Sequence, residues 1–144
     1  MLEAININSS VAVYLQIENQ IRFAIARGTL KPKDRLPSVQ ELAKRLDINF
    51  NTVTKAYRDL EVMGLIYTRR GMGCFVKEGA QANCAQRCQE EILTRAHEVT
   101  QEAKASGISK KELTTWLTKL YQMDGPVYGE LPDNVVTLAK KKAK

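Results

Sequence analysis

A mainly α chain with one short β-hairpin is predicted by three observations. Five segments, one after another along the 144 residues, place apolar side chains at spacings of three and four. Ser38 with Glu41, and Ser109 with Glu112, each set a serine three residues before a glutamate at the head of such a segment, the signature of a capping box. Only residues 65–77 have strand character, and glycines divide them.

Tyr14, Ile17, Ile21, Ala24 and Ile25 form a stripe on a first helix from about Val13 to Arg27, which Gly28 ends. After an extended connection through Leu30-Lys31-Pro32, Ser38 and Glu41 open a short second helix carrying Leu42, Ala43 and Leu46. Asp47-Ile48-Asn49 breaks it, and Asn49 caps a third helix, Phe50 to about Met63, with Val53, Ala56, Tyr57, Leu60 and Met63 on one face. Two helices joined by so short a break, with the small Ala43 where they cross, make a helix-turn-helix. Residues 65–68 and 73–77 then read as strands around Arg69-Arg70-Gly71, so the first domain, residues 1–77, is a winged helix-turn-helix.

Residues 78–82, with Gly79 and small polar side chains, are expected to be a linker. Beyond it, Ala85, Cys88, Ile92, Ala96, Val99 and Ala103 make a narrow stripe on a helix from about Ala82 to Ala105. After Gly107, Leu113, Trp116, Leu117, Leu120 and Tyr121 line another helix ending near Asp124. Two such helices cannot bury their apolar faces alone. Residues 83–124 are therefore expected to form a small two-helix C-terminal dimerisation region, with Ile92, Val99, Trp116, Leu117 and Leu120 meeting a second copy. Residues 125–144, with Pro126, Pro132 and Lys140-Lys141-Lys142, are expected to be a loose basic tail.

The formal net charge is +6, and it is unevenly placed: residues 1–77 hold 12 Lys or Arg against 7 Asp or Glu, whereas residues 78–124 hold 6 against 7. A polyanion facing the first domain is the implied partner. In a winged helix-turn-helix, the N-terminal part of the second motif helix enters the major groove. Here that surface carries Asn49, Asn51, Thr52, Thr54 and Lys55, with Arg58 one turn further on. Asn51 matches an adenine edge, Thr52 offers a hydroxyl or a methyl, and Lys55 reaches guanine or phosphate. Gln40, Lys44 and Arg45 fall at the backbone or groove margin, and Arg69 and Arg70 at the wing tip reach phosphate or the minor groove. Each of these alone reads as ordinary surface polarity. Their order along the basic half of the chain is what points to double-stranded DNA.

Val13-Tyr14-Leu15-Gln16-Ile17, Leu36-Pro37-Ser38, Glu41-Leu42-Ala43, Asn51-Thr52-Val53, Ala56-Tyr57, Leu60-Glu61, Gly64-Leu65-Ile66 and Gly71-Met72-Gly73 resemble the N-terminal domain of the GntR family of bacterial transcription regulators. The two-helix remainder, with its Gly107-Ile108-Ser109 break, resembles the YtrA subfamily, which has the smallest C-terminal region in that family. The resemblance implies a homodimer that binds an inverted repeat in a promoter and represses transcription, with DNA contacts at Ser38, Gln40, Asn51, Thr52 and Lys55 and wing glycines near Gly71. The chain departs from the family at Gln40, where arginine is common, at Lys33 where glycine follows the proline, and at Phe50 where proline is favoured. An operator sequence different from that of arginine-bearing members is the consequence expected of Gln40.

Other classes have less support. His97 is the single histidine and no serine or cysteine lies in the context of an activated nucleophile, so no enzyme activity is expected. Cys84 and Cys88 lie one helical turn apart, but two thiols make a weak metal signal; Cys88 is expected in the apolar stripe and Cys84 at the surface. No cofactor or metal is expected. The longest uncharged run, Ala4 to Ile17, is 14 residues, six of them polar, so neither a membrane span nor a secretory signal is expected, and the location implied is the cytoplasm. A weakly selective architectural DNA-binding protein and a protein-only adaptor are the competing readings. A small-molecule effector would have to bind at the dimer interface, because two paired helices enclose little volume.

Overall fold

The computed structural model describes residues 2, 5–131, 133, 135 and 137. Its elements are α1 (Val13–Ala26), β1 (Arg35–Leu36), α2 (Val39–Leu46), α3 (Phe50–Val62), β2 (Ile66–Arg69), β3 (Gly73–Val76), α4 (Ala80–Ala105) and α5 (Lys110–Tyr121). The three strands form an antiparallel sheet in the order β1-β3-β2. Phe75 pairs with Arg35 on one side and Tyr67 on the other, so β3 is the central strand. The two-residue β1 was not expected: it is too short to show an alternation, and Lys33, held at φ 71°, donates its N–H to Val76 O to extend the pairing.

One core serves the N-terminal domain. Ile17, Ile21 and Ile25 of α1 are fully buried together with Leu42 of α2, Val53 and Leu60 of α3, and Val76 of β3. The linker expected at residues 78–82 is shorter than that. Gly79, at φ 80°, adopts a left-handed turn that side chains disfavour, and α4 starts at once with Ala80. Ala80 and Cys84 are buried in the same core, and Arg22 of α1, itself buried, pairs with Glu91 of α4 at 2.8 Å. The first turns of α4 therefore complete the N-terminal domain. For the same reason the expected placing of the two cysteines is reversed: Cys84 is buried against α1 and Cys88 only half-buried.

Beyond these turns Ala103 is the one buried residue of the two helices. Every residue from 89 to 102 is exposed, and α5 buries none of its residues. The start of the expected tail, by contrast, is tied down. Asn6 Nδ2 donates to Tyr128 O and Asn19 Nδ2 to Tyr128 Oη, both at 2.8 Å, so the chain after α5 returns to α1 and the N-terminal segment. Pro132 and Lys140-Lys141-Lys142 lie outside the described residues.

Candidate nucleic-acid interface

The helix-turn-helix is fixed by its caps. Glu41 N donates to Ser38 Oγ at 3.1 Å while Ser38 N donates to Glu41 Oε2 at 2.8 Å, the reciprocal box that the sequence spells. The Ser38 backbone N–H also holds the Glu41 carboxyl below its ordinary pKa. Replacing Ser38 by Ala is expected to lower stability by about 1 kcal/mol, read as a fall in urea midpoint at unchanged slope. Asp47 closes α2 in the left-handed region at φ 52°, and Ile48 N donates to Ala43 O, which turns the chain into α3 within three residues. Asn49 Oδ1 accepts from Asn51 N at 2.7 Å. The oxygens of Ser38 and Asn49 are thus engaged as caps, and these side chains set the helices rather than project freely from them.

Tyr57 locks α3 to the start of α2. Its phenol donates to Pro37 O at 2.6 Å, and burial pushes its pKa up, so it stays protonated at neutral pH. Because Val53, Ala56, Tyr57 and Leu60 face the core, the helical period sends Asn51, Lys55 and Arg58 to the opposite side, and all three are exposed. Thr54 is half-buried, its hydroxyl donating to Phe50 O at 3.0 Å, and it lines a groove of about 310 Å³ with Ser38, Arg58, Thr68 and Cys74 between α3 and the wing. Thr52 is also half-buried.

Lys55 has partners that its sequence position did not reveal. Its Nζ lies 4.5 Å from the centre of the Tyr14 ring and 3.2 Å from Asp59 Oδ2. Tyr14, read from the sequence as a member of the α1 core stripe, is half-buried and also forms a cation–π seat for Lys55 on the outward face of α3.

Gln40, Lys44 and Arg45 are exposed on α2, all within about one and a half turns. On the wing, Arg69 ends β2 opposite Gly73, and Met72 N donates to Arg69 O at 2.9 Å around Arg70 and Gly71. Gly71 sits at φ 78°, the left-handed conformation that the third position of such a turn requires. Arg69 and Arg70 are both exposed, so the cations of the wing and the polar face of α3 are all open to a ligand. The expected dimer residues are open too: Ile92, Val99, Leu117 and Leu120 are 55, 46, 54 and 37 % exposed, and Trp116 is half-buried. Among the described residues no three His, Cys, Asp or Glu side chains gather as a metal site, and no helix is long and apolar enough to cross a membrane. Burial pushes the Cys84 thiol up to about 11, which keeps it protonated.

A capped helix-turn-helix with a polar outward face on its second helix and a basic hairpin beside it defines a winged-helix DNA-binding protein. Comparison with known proteins narrows the class. Residues 13–76 match the family described as bacterial regulatory proteins, gntR family. The chain is 35% identical over 112 residues to the HTH-type transcriptional repressor YtrA of Bacillus subtilis, covering 78% of this chain and 86% of that protein. Among solved structures, a GntR family transcriptional regulator from Listeria monocytogenes superposes with a TM-score of 0.61 at 33% identity, over 76% of this chain and 96% of that one. YtrA from Sulfolobus acidocaldarius, a GntR-family transcription factor, does so with 0.52 at 36% identity, over 65% of this chain and 99% of that one. The chain belongs to the GntR family and is related within it to members of the YtrA subfamily. It is accordingly a sequence-specific DNA-binding regulator.

Proposed function

We propose that the protein is a cytoplasmic homodimeric repressor that binds an inverted repeat within a promoter. Asn51, Lys55 and Arg58 face the major groove, with Thr52 and Thr54 at the edges of that face. Ser38, Gln40, Lys44, Arg45 and Asn49 line the groove margin, and Arg69, Arg70 and Gly71 reach the flanking backbone. The observation that carries this reading is the exposure of Asn51, Lys55 and Arg58 on one face of α3, directly opposite its buried face. Two copies joined through α4 and α5 would repeat that face about a symmetry axis, so the operator would repeat as well. Residues 1–77, extended by the first turns of α4, are the DNA-binding unit in this reading, and the rest of residues 83–124 joins the two copies. A small-molecule effector, if there is one, would lie at that junction.

Selection of bound duplexes from a random library at physiological salt tests the proposal. Enrichment of one inverted repeat, preferred about 10³-fold over random duplex, is the expected result. Asn51→Ala should flatten the preference at one position in each half-site, by about 1 kcal/mol per position. Binding without any enriched sequence would overturn the proposal in favour of a weakly selective architectural role.

A further inference from the structure

We propose that the outer face of the three-stranded sheet is a second nucleic-acid surface, one that stacks the unpaired bases of a single strand. It is separate from the groove-reading face of α3. Leu36, Ile66, Cys74 and Val76 are buried beneath the sheet, so by the alternation of strands Arg35, Tyr67 and Phe75 form a row across its other side. The rings of Tyr67 and Phe75 stack at 5.7 Å between centroids and 27° between planes. Both residues remain only half-buried and, with Lys33, Arg69 and Met72, line an open groove of about 470 Å³.

Cations surround the rings. The Arg35 guanidinium lies across Gly73, where a Cβ would stand 3.0 Å from its Nε, and the absent side chain is what lets the planar group lie along the sheet. Lys33 and Lys77 are exposed beside the row. Two acids are nearby: Glu78, 3.7 Å from Lys33 Nζ, and Asp34, whose carboxylate accepts from Lys31 N. Lys33, Arg35 and Lys77 have no place on the face of α3 or at the wing tip, so they are cations that the duplex reading leaves unused. A cross-strand aromatic pair by itself is ordinary sheet packing. A half-open pair ringed by positive side chains, one of them a flat guanidinium, matches a ligand that offers both flat rings and phosphates. Paired bases inside a duplex cannot present their faces to Tyr67 and Phe75, whereas those of a single strand can.

The test is fluorescence anisotropy of the full chain at low salt with a labelled oligothymidylate of about twelve bases, an abasic strand of equal length, and a duplex carrying the inverted repeat. The oligothymidylate is expected to bind about tenfold more tightly than the abasic strand. Tyr67→Leu and Phe75→Leu should each weaken it about tenfold while leaving duplex affinity unchanged. Arg35→Glu, at an exposed position that cannot disturb the core, should weaken it as well and keeps the test valid if a Leu variant is less stable. Equal binding of the abasic strand would overturn the proposal, since phosphate attraction alone would then explain the affinity. So would absence of binding, competition by an acidic peptide alone, or a parallel loss of duplex binding in the Leu variants. Failure of the operator reading would show only in the duplex arm.

Discussion

Leu117→Asp is expected to leave the N-terminal domain folded, to separate the dimer, and to lower operator affinity by about 10²-fold or more. Leu117 is 54 % exposed and α5 buries no residue, so within one chain an aspartate there meets water and costs little. In a dimer that covers the apolar faces of α4 and α5, the same aspartate is a buried, unpaired charge. Ile92, Leu93, Val99, Leu117, Leu120 and Tyr121 are all exposed along α4 and α5, and the second copy proposed above would cover them. Two half-sites bound through one dimer gain the effective concentration of a linked pair, and separation forfeits it. The 26 residues of α4 span about 39 Å, enough to hold two reading helices a turn of DNA apart. Trp116, the single tryptophan of the chain, reports the change directly. Its emission should shift to the red on diluting the native protein and be red-shifted already in Leu117→Asp. A variant that sediments as a dimer and binds the operator normally would exclude this interface.

The helix-turn-helix was legible because its signals are local. Ser38 and Glu41 cap each other within one turn, Asn49 caps the next helix, and Gly71 closes the wing, so each boundary is written within a few residues of where it falls. What was not legible depends on contacts distant in sequence. β1 exists only because Arg35 and Leu36 find β3 some forty residues later, and two residues carry no period of their own. Lys55 could be assigned to the face of α3, but its seat on Tyr14 joins residues of two different helices. Cys84 is expected at the surface when a single apolar stripe runs along all of α4, whereas the first turns of α4 pack on α1 and residues 89–102 are exposed. Tyr128 likewise looked like part of a tail until Asn6 and Asn19 met it. The same error of one face per helix hid the most unusual feature of α1. Gln16, Glu18, Gln20 and Arg22 are polar, yet all four are buried because α3, α4 and the N-terminal segment surround the helix.

Glu18 is the member of that set with the largest consequence. It is 7 % exposed, and its Oε2 is buried without a hydrogen-bond partner among the described residues. Burial raises its pKa, and Asp59 of α3 adds to the rise; Arg22 and Lys55 oppose it, and Glu91 of α4 raises it slightly further. The sign of the effect on stability follows. A carboxyl whose pKa is higher in the folded state than in the unfolded chain favours folding while it is protonated, so its contribution is complete below the unfolded value. It is lost as pH climbs through the raised folded value. Glu18→Gln keeps the shape of the protonated side chain and removes the titration. The variant is therefore expected to be more stable than the native protein at neutral pH, by about 1.4 kcal/mol for each pH unit by which folding raises the Glu18 pKa. The advantage should shrink as pH falls through the raised pKa. Urea midpoints of both proteins from neutral pH down to the ordinary carboxylate range would measure it, and two curves that stay parallel would show that folding does not raise the Glu18 pKa. Asp59 also pairs with Lys55, so the charge on Glu18 acts on the same carboxylate that holds a lysine of the proposed DNA-reading face. A second expected result follows from that link: operator affinity of the native protein varies with pH across the window in which Glu18 titrates, and in Glu18→Gln this part of the variation is absent.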